Sequence, residues 1–164
     1  MASTTATLAL GDALAAAVME AKGFGEEDFA RLHPGGRLGK RLARVSQFMH
    51  EGDAMPRVGT GAPMREVVLE MSRKRLGCTT VVGDDDSLLG IITDGDLRRL
   101  LESDREPLSH LARDVMSRDP VTIGPGELAS VALRTMEERK ITMLPVVDAG
   151  RLIGLVQIHD LWGT

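Results

Sequence analysis

From residue 10 to residue 21, apolar side chains recur at steps of three and four: Leu10, Ala13, Leu14, Ala17, Val18 and Ala21. That spacing gathers them on one face and predicts a helix. Ser3, Thr4 or Thr5 offers a hydroxyl to cap its start. Gly23 suits a left-handed residue just past its end, with Phe24 folding back on the last turn. A shorter helical pattern follows, with Glu26, Glu27 and Asp28 near the positive end of its dipole. It stops near His33, because Pro34 disfavours a helical residue before it, and Pro34-Gly35-Gly36 reads as a turn.

From about residue 45 the pattern repeats. GCTTVV is answered by TMLPVV, and GIITDGDL by GLVQIHDL. Gly90 matches Gly154 and Asp96 matches Asp160, 64 residues apart in each case; Phe48-Met49 matches Val115-Met116. Each unit opens with an amphipathic helix, carrying Met64, Val67, Val68 and Met71 in one and Leu128, Val131, Ala132, Thr135 and Met136 in the other. A β-rich run comes next (Thr79 to Val82; Leu144 to Val147). After a turn there is a second strand (Leu88 to Thr93; Leu152 to Gln157) and a short helix (Asp94 to Leu101; Ile158 to Trp162). A β-α-β-β-α unit of under about 60 residues buries too little surface alone, so two copies packed sheet to sheet are expected to share one core. The expected fold class is therefore α+β. Residues 1–43 form a helical lead-in, 44–107 the first unit and 108–164 the second.

Composition narrows the chemistry. The 164 residues are 43% hydrophobic and 27% charged, which is globular composition. No stretch approaches the roughly 20 apolar residues of a membrane span. The N-terminus lacks the charged region of a signal peptide and carries Asp12 in its apolar run, which argues for a cytoplasmic protein. The single cysteine, Cys78, rules out an internal disulfide framework and a cysteine zinc cluster. Three phenylalanines, one tryptophan and no tyrosine leave little for stacking single-stranded nucleic acid, and a net charge of −4 does not favour a phosphate-backbone partner.

The run Gly90-Ile91-Ile92-Thr93-Asp94-Gly95-Asp96-Leu97, with its second copy behind the same helix and strand, resembles a tandem of cystathionine-β-synthase (CBS) domains. The N-terminal part, with GFGEEDFARLHPGGRLGKRL, is similar to the end of the sugar isomerase domain of D-arabinose-5-phosphate isomerases. TDGDLRR, KIT-x-L-P-VVD and HDL also match those enzymes. The Gly- and Ser-rich sugar-phosphate loops of that domain do not occur in these residues. The resemblance thus implies the end of a catalytic domain (1–43) followed by a regulatory CBS pair.

The same resemblance assigns candidate residues. It implies that His33, in His33-Pro34-Gly35-Gly36, is catalytic in the full-length enzyme. There D-ribulose 5-phosphate and D-arabinose 5-phosphate interconvert through an enediol, and a group titrating near neutral pH serves that proton transfer. The bland reading is a helix-end cap, and the 164 residues alone are expected to be inactive. Thr93 and Asp96 are the leading nucleotide ligands, with the carboxylate able to accept from ribose hydroxyls and the helix N-terminus favouring phosphate. The bland reading is that Thr93 or Asp94 simply caps the helix and Asp96 favours its first turn. In the second unit Gln157 replaces the threonine, Asp160 keeps the carboxylate, and His159 is placed to meet a phosphate or carboxylate. Thr122 and Ile123, on the strand expected to open the second unit, correspond to positions whose backbone often reads the base.

Gly77-Cys78 and Thr142-Met143 stand where adenine-binding pairs often carry His or Arg, which argues against an energy sensor of the AMP or ATP kind. Arg98, Arg99, Arg139 and Lys140 remain as phosphate partners or as a solvated face. The pathway of the resembled enzymes points to CMP-Kdo as the regulatory nucleotide. No catalytic cofactor or metal is expected. A homo-oligomer is: a dimer of CBS pairs, tetrameric in the full-length enzyme. The competing reading is a CBS module that only drives assembly. Asp94-Gly95-Asp96 and Asp84-Asp85-Asp86 lack the EF-hand ligand pattern, and Gly39-Lys40-Arg41 is no Walker A loop. His50 and His110 read as surface or packing residues.

Overall fold

The computed structural model describes residues 2–23 and 43–162. The chain divides into two compact units, Met1–Ala43 and Arg44–Thr164. In the first, helix α1 spans Ala2–Ala21. It begins before Ser3, Thr4 and Thr5, which lie inside its first turns instead of capping it. Gly23 takes the expected left-handed backbone, φ +62°. Leu8, Leu10, Leu14, Val18 and Met19 are exposed along this helix. Phe24, His33 and the second helical pattern lie outside the described residues.

The second unit contains both repeats. In the first, β1 (Arg57–Gly59) leads to α2 (Met64–Lys74), β2 (Cys78–Val82), β3 (Leu88–Thr93) and α3 (Asp94–Ser103). A short α4 (Ala112–Val115) and β4 (Ser117–Arg118) follow. In the second come α5 (Ala129–Arg139), β5 (Met143–Asp148), β6 (Arg151–Gln157) and α6 (Ile158–Trp162). Both expected hairpins and both expected helix pairs are present. Thr122 and Ile123 do not make a regular strand; Ile123 forms a single parallel bridge to Val146.

The first sheet runs β1-β2-β3-β4, with β1 parallel to β2 and the other pairs antiparallel. Its edge strand β4 is the chain leading into the second repeat. The second sheet is built the same way around β5 and β6, with Ile123 on one side and His50 bridging Leu155 on the other. Each repeat's lead-in therefore completes the sheet of the other. The packing agrees. Val45, Phe48 and Met49 join the core of Ala132, Met136, Leu144 and Val156. Ala112, Val115 and Met116 join that of Met64, Val67, Val81 and Ile92. Amides repeat the exchange: Val45 N–H donates to the Glu127 carbonyl at 2.9 Å, and Ala112 N–H to that of Ala62 at 2.8 Å.

A third cluster joins the two sheets face to face. Cys78, Leu76 and Ile91 from the first repeat meet Leu152 and Leu155 from the second, with Met55 alongside. Period-2 alternation explains the choice of residues: Thr79 and Val81 point from β2 toward the helices, Cys78 toward the other sheet.

Candidate functional site

At the end of β3 the chain enters α3 through a reciprocal cap. The Thr93 Oγ1 accepts from the Asp96 amide at 3.3 Å, while Asp96 Oδ2 accepts from the Thr93 amide at 2.8 Å and from its hydroxyl at 2.6 Å. This is a capping box with the shorter Asp in the place usually held by Glu or Gln. Asp96 is 8% exposed. Its Oδ1 accepts from the Arg99 guanidinium and, at 3.4 Å, from the Ser117 hydroxyl of β4. Burial works against the charged carboxylate, yet the Thr93 hydrogen bonds and the Arg99 charge outweigh it and hold the group below the usual carboxylate range.

This cap lines a cleft of about 800 Å³ to which both repeats contribute. Thr93, Asp96 and Ser117 give its polar surface on the first-repeat side; Gln157 and His159 give it on the second. Aliphatic wall comes from Pro120, Val121, Ile141 and Met143. Three basic side chains, Arg75, Arg99 and Lys140, line it together with the acidic Asp94 and Asp96. Arg75 and Lys140 close α2 and α5 in the left-handed conformation, with φ of 59° and 56°. Glycine is the residue that conformation favours. Both repeats instead carry a long basic side chain there, at the mouth of one cleft.

The second repeat's version of the cap differs. Asp160 Oδ2 accepts from the Gln157 amide at 2.9 Å, the counterpart of the Thr93 bond, and lies 3.0 Å from His50 Nε2. Gln157 has no hydroxyl to return the cap. Its side-chain amide instead donates to the Leu76 carbonyl at 2.6 Å, across to the first repeat.

Of the residues singled out by sequence, the cleft thus brings together Thr93, Asp96, Gln157, His159, Arg99 and Lys140. Asp160, Thr122 and Ile123 do not line it. Thr122 is exposed beside it, and Ile123 is buried in the second repeat's core, so the neighbouring Pro120 and Val121 present this segment to the cleft. Sequence reading missed Arg75 and Ser117. Arg75 was legible as the helix-end counterpart of Lys140, and Ser117 as the residue after the repeated methionine. His50, read as surface or packing, is bonded to Asp160. Among the described residues, no group of three or more His, Cys, Asp or Glu is arranged to hold a metal, and no helix is long and apolar enough to cross a membrane.

Residues 45–103 and 112–161 each match the family model described as CBS domain. The chain belongs to the CBS domain family. Its two CBS repeats and the preceding segment are 46% identical, over 160 residues, to an arabinose 5-phosphate isomerase KdsD of Yersinia pestis. That match takes in 97% of this chain and 49% of the relative, so the chain spans about half the length of the curated relatives it matches, in their C-terminal part. Among solved structures the CBS pair is similar to CBSX2 in complex with AMP, with a TM-score of 0.64 and 24% identity over 72% of this chain and 92% of that one. It is also similar to the CBS domain pair of MJ0100 in complex with 5′-methylthioadenosine and S-adenosyl-L-methionine, with a TM-score of 0.66 and 20% identity over 73% and 93%. At those identities the likeness shows the fold: a tandem CBS pair.

Proposed function

We propose that this CBS pair is the nucleotide-binding regulatory module of an arabinose-5-phosphate isomerase. The observation that carries the reading is the buried Asp96 carboxylate lining a cleft shared by both repeats and edged by Arg75, Arg99 and Lys140. A carboxylate is an acceptor pair for vicinal ribose hydroxyls, and guanidinium and ammonium groups serve a phosphate. The aliphatic walls and backbone around Pro120 and Val121 hold the base without a ring sandwich. The CBS pairs similar in fold, with the nucleotide AMP in one and the adenine nucleosides 5′-methylthioadenosine and S-adenosyl-L-methionine in the other, support a ribose-bearing ligand, and the first of them a nucleotide.

The proposed ligand is CMP-Kdo, whose phosphate and carboxylate suit a cleft with three cations. Because the walls come from both repeats, a ligand bound there favours one arrangement of the pair and biases whatever domain is attached. The catalytic role of His33, in a longer protein, belongs to the same proposal, as does assembly into a homo-oligomer.

Titration calorimetry with CMP-Kdo, CMP, AMP and ATP tests it. The cytidine ligands should bind more tightly than the adenine ones. Asp96→Ala should weaken binding by about tenfold or more, the loss of charge-assisted hydrogen bonds worth about 1.5–3 kcal/mol. Preference for adenine nucleotides would remove CMP-Kdo from the proposal. No binding, with assembly intact in sedimentation, would favour the purely structural module. The 164 residues should show no turnover of D-ribulose 5-phosphate.

A further inference from the structure

The two CBS repeats are related closely enough that two equivalent sites are the simple expectation. We infer that the pair binds one nucleotide per chain, in the Asp96 half, and that His50 and Gln157 close the Asp160 half. This rests on the nucleotide reading of the cleft above.

The comparison can be made position by position. Ser117 pairs with Ile91 and His50 with Leu155, the same place in each sheet. From that place Ser117 reaches Asp96 only through a short hydroxyl at 3.4 Å. A small hydroxyl there leaves the space over the carboxylate open, and Asp96 lines the cleft. His50 puts an imidazole in the same place, 3.0 Å from Asp160 Oδ2, and Asp160 does not line the cleft. The side chain opposite differs as well. Thr93 folds back into its own cap, its hydroxyl spent on Asp96. Gln157 stretches to the Leu76 carbonyl at 2.6 Å and ties the two repeats together with a hydrogen-bonded amide. Finally, the residue matching Arg99 by the 64-residue offset is Gly163, so that sequence position offers no guanidinium to a phosphate.

A ligand entering over Asp160 would have to displace His50 from the carboxylate and break the Gln157 tie between the repeats. One entering over Asp96 needs only Ser117's long contact and the exposed Arg99 to rearrange.

Calorimetry with CMP and AMP as probes gives the stoichiometry. The expected result is one equivalent per chain, lost in Asp96→Ala and retained, within about threefold in affinity, in Asp160→Ala. Circular dichroism checks the fold of each variant. If Asp160→Ala does not fold, Asp160→Asn, which keeps an acceptor for the Gln157 amide, takes its place. Two equivalents, or loss of binding on changing Asp160 with Asp96 intact, would overturn the one-site inference and leave the nucleotide reading standing. Absence of heat from the unaltered chain with both probes and with CMP-Kdo would overturn the nucleotide reading itself, and the inference with it.

Discussion

A Cβ placed on Gly154 would stand 2.7 Å from Met49 Sδ, and one on Gly90 would stand 2.7 Å from Met116 Sδ. Each glycine thus makes room for the methionine that the other repeat's lead-in delivers. The two sites differ in what lies behind the sulfur. At Gly90 the Ser117 carbonyl is 2.9 Å from that Cβ, whereas at Gly154 the nearest carbonyl, of His50, is 3.2 Å away. A methionine end can swing aside; an edge-strand carbonyl cannot move without breaking its ladder. Gly90→Ala should therefore cost about 1–3 kcal/mol, in the range of overpacking, and Gly154→Ala less. Urea unfolding of the two variants against the unaltered chain measures the difference; equal costs would contradict the assignment.

Thr93→Ala removes the hydroxyl that both receives the Asp96 amide and donates to its carboxylate. A lost N-cap typically costs about 1 kcal/mol. Thermal melts should show Thr93→Ala destabilised by about that amount and Thr93→Ser close to unchanged.

The pH dependence follows from Asp96. Its carboxyl is held below the ordinary range in the fold, so its contribution is fully present above the unfolded carboxylate range and is lost as pH falls through the folded value. The stability gap between the unaltered chain and Asp96→Asn should be widest near neutral pH and narrow on acidification. Urea titrations across a pH series read the gap directly, and one that widens in acid would refute the sign.

Cys78 is fully buried at the sheet interface, and burial first, with the Asp94 charge second, pushes its thiol up to about 12. The thiolate is the reactive form, so the native protein should resist thiol reagents near neutral pH and react at once when unfolded. Ellman's reagent with and without urea provides the check.

The Gln157 tie to Leu76 links the repeats. Gln157→Ala should cost about 1 kcal/mol, the net worth of one hydrogen bond. Gln157→Thr offers a hydroxyl for a cap like that of Thr93 and should recover part of the loss in a thermal melt.

Local pattern carried most of this fold. The repeat, its four strands at 78–82, 88–93, 143–148 and 151–157, and the helices between them were readable because their apolar periods change cleanly from helical to alternating. The Thr93–Asp96 element was readable for the same reason: a cap is a short-range event. What sequence order hides is the exchange. Phe48-Met49 and Val115-Met116 were visible as a matched pair, yet nothing within six residues of either says that it packs against the other repeat. The His50–Asp160 contact, 110 residues apart, and the Gln157 reach to Leu76, 81 apart, depend on that exchange. So does the placing of Pro120 and Val121, not Thr122 and Ile123, along the cleft.

The exchanged lead-ins also determine how the molecule comes apart. A protease cut in the exposed stretch around Asp104–Glu106 would sever the repeats in sequence but not in space. Each fragment would still hold a piece of the other's sheet and core. The nicked protein should therefore elute as one particle and melt in one transition, and either fragment alone should expose the vacated groove until its complement, or a second copy of the exchanged segment, refills it.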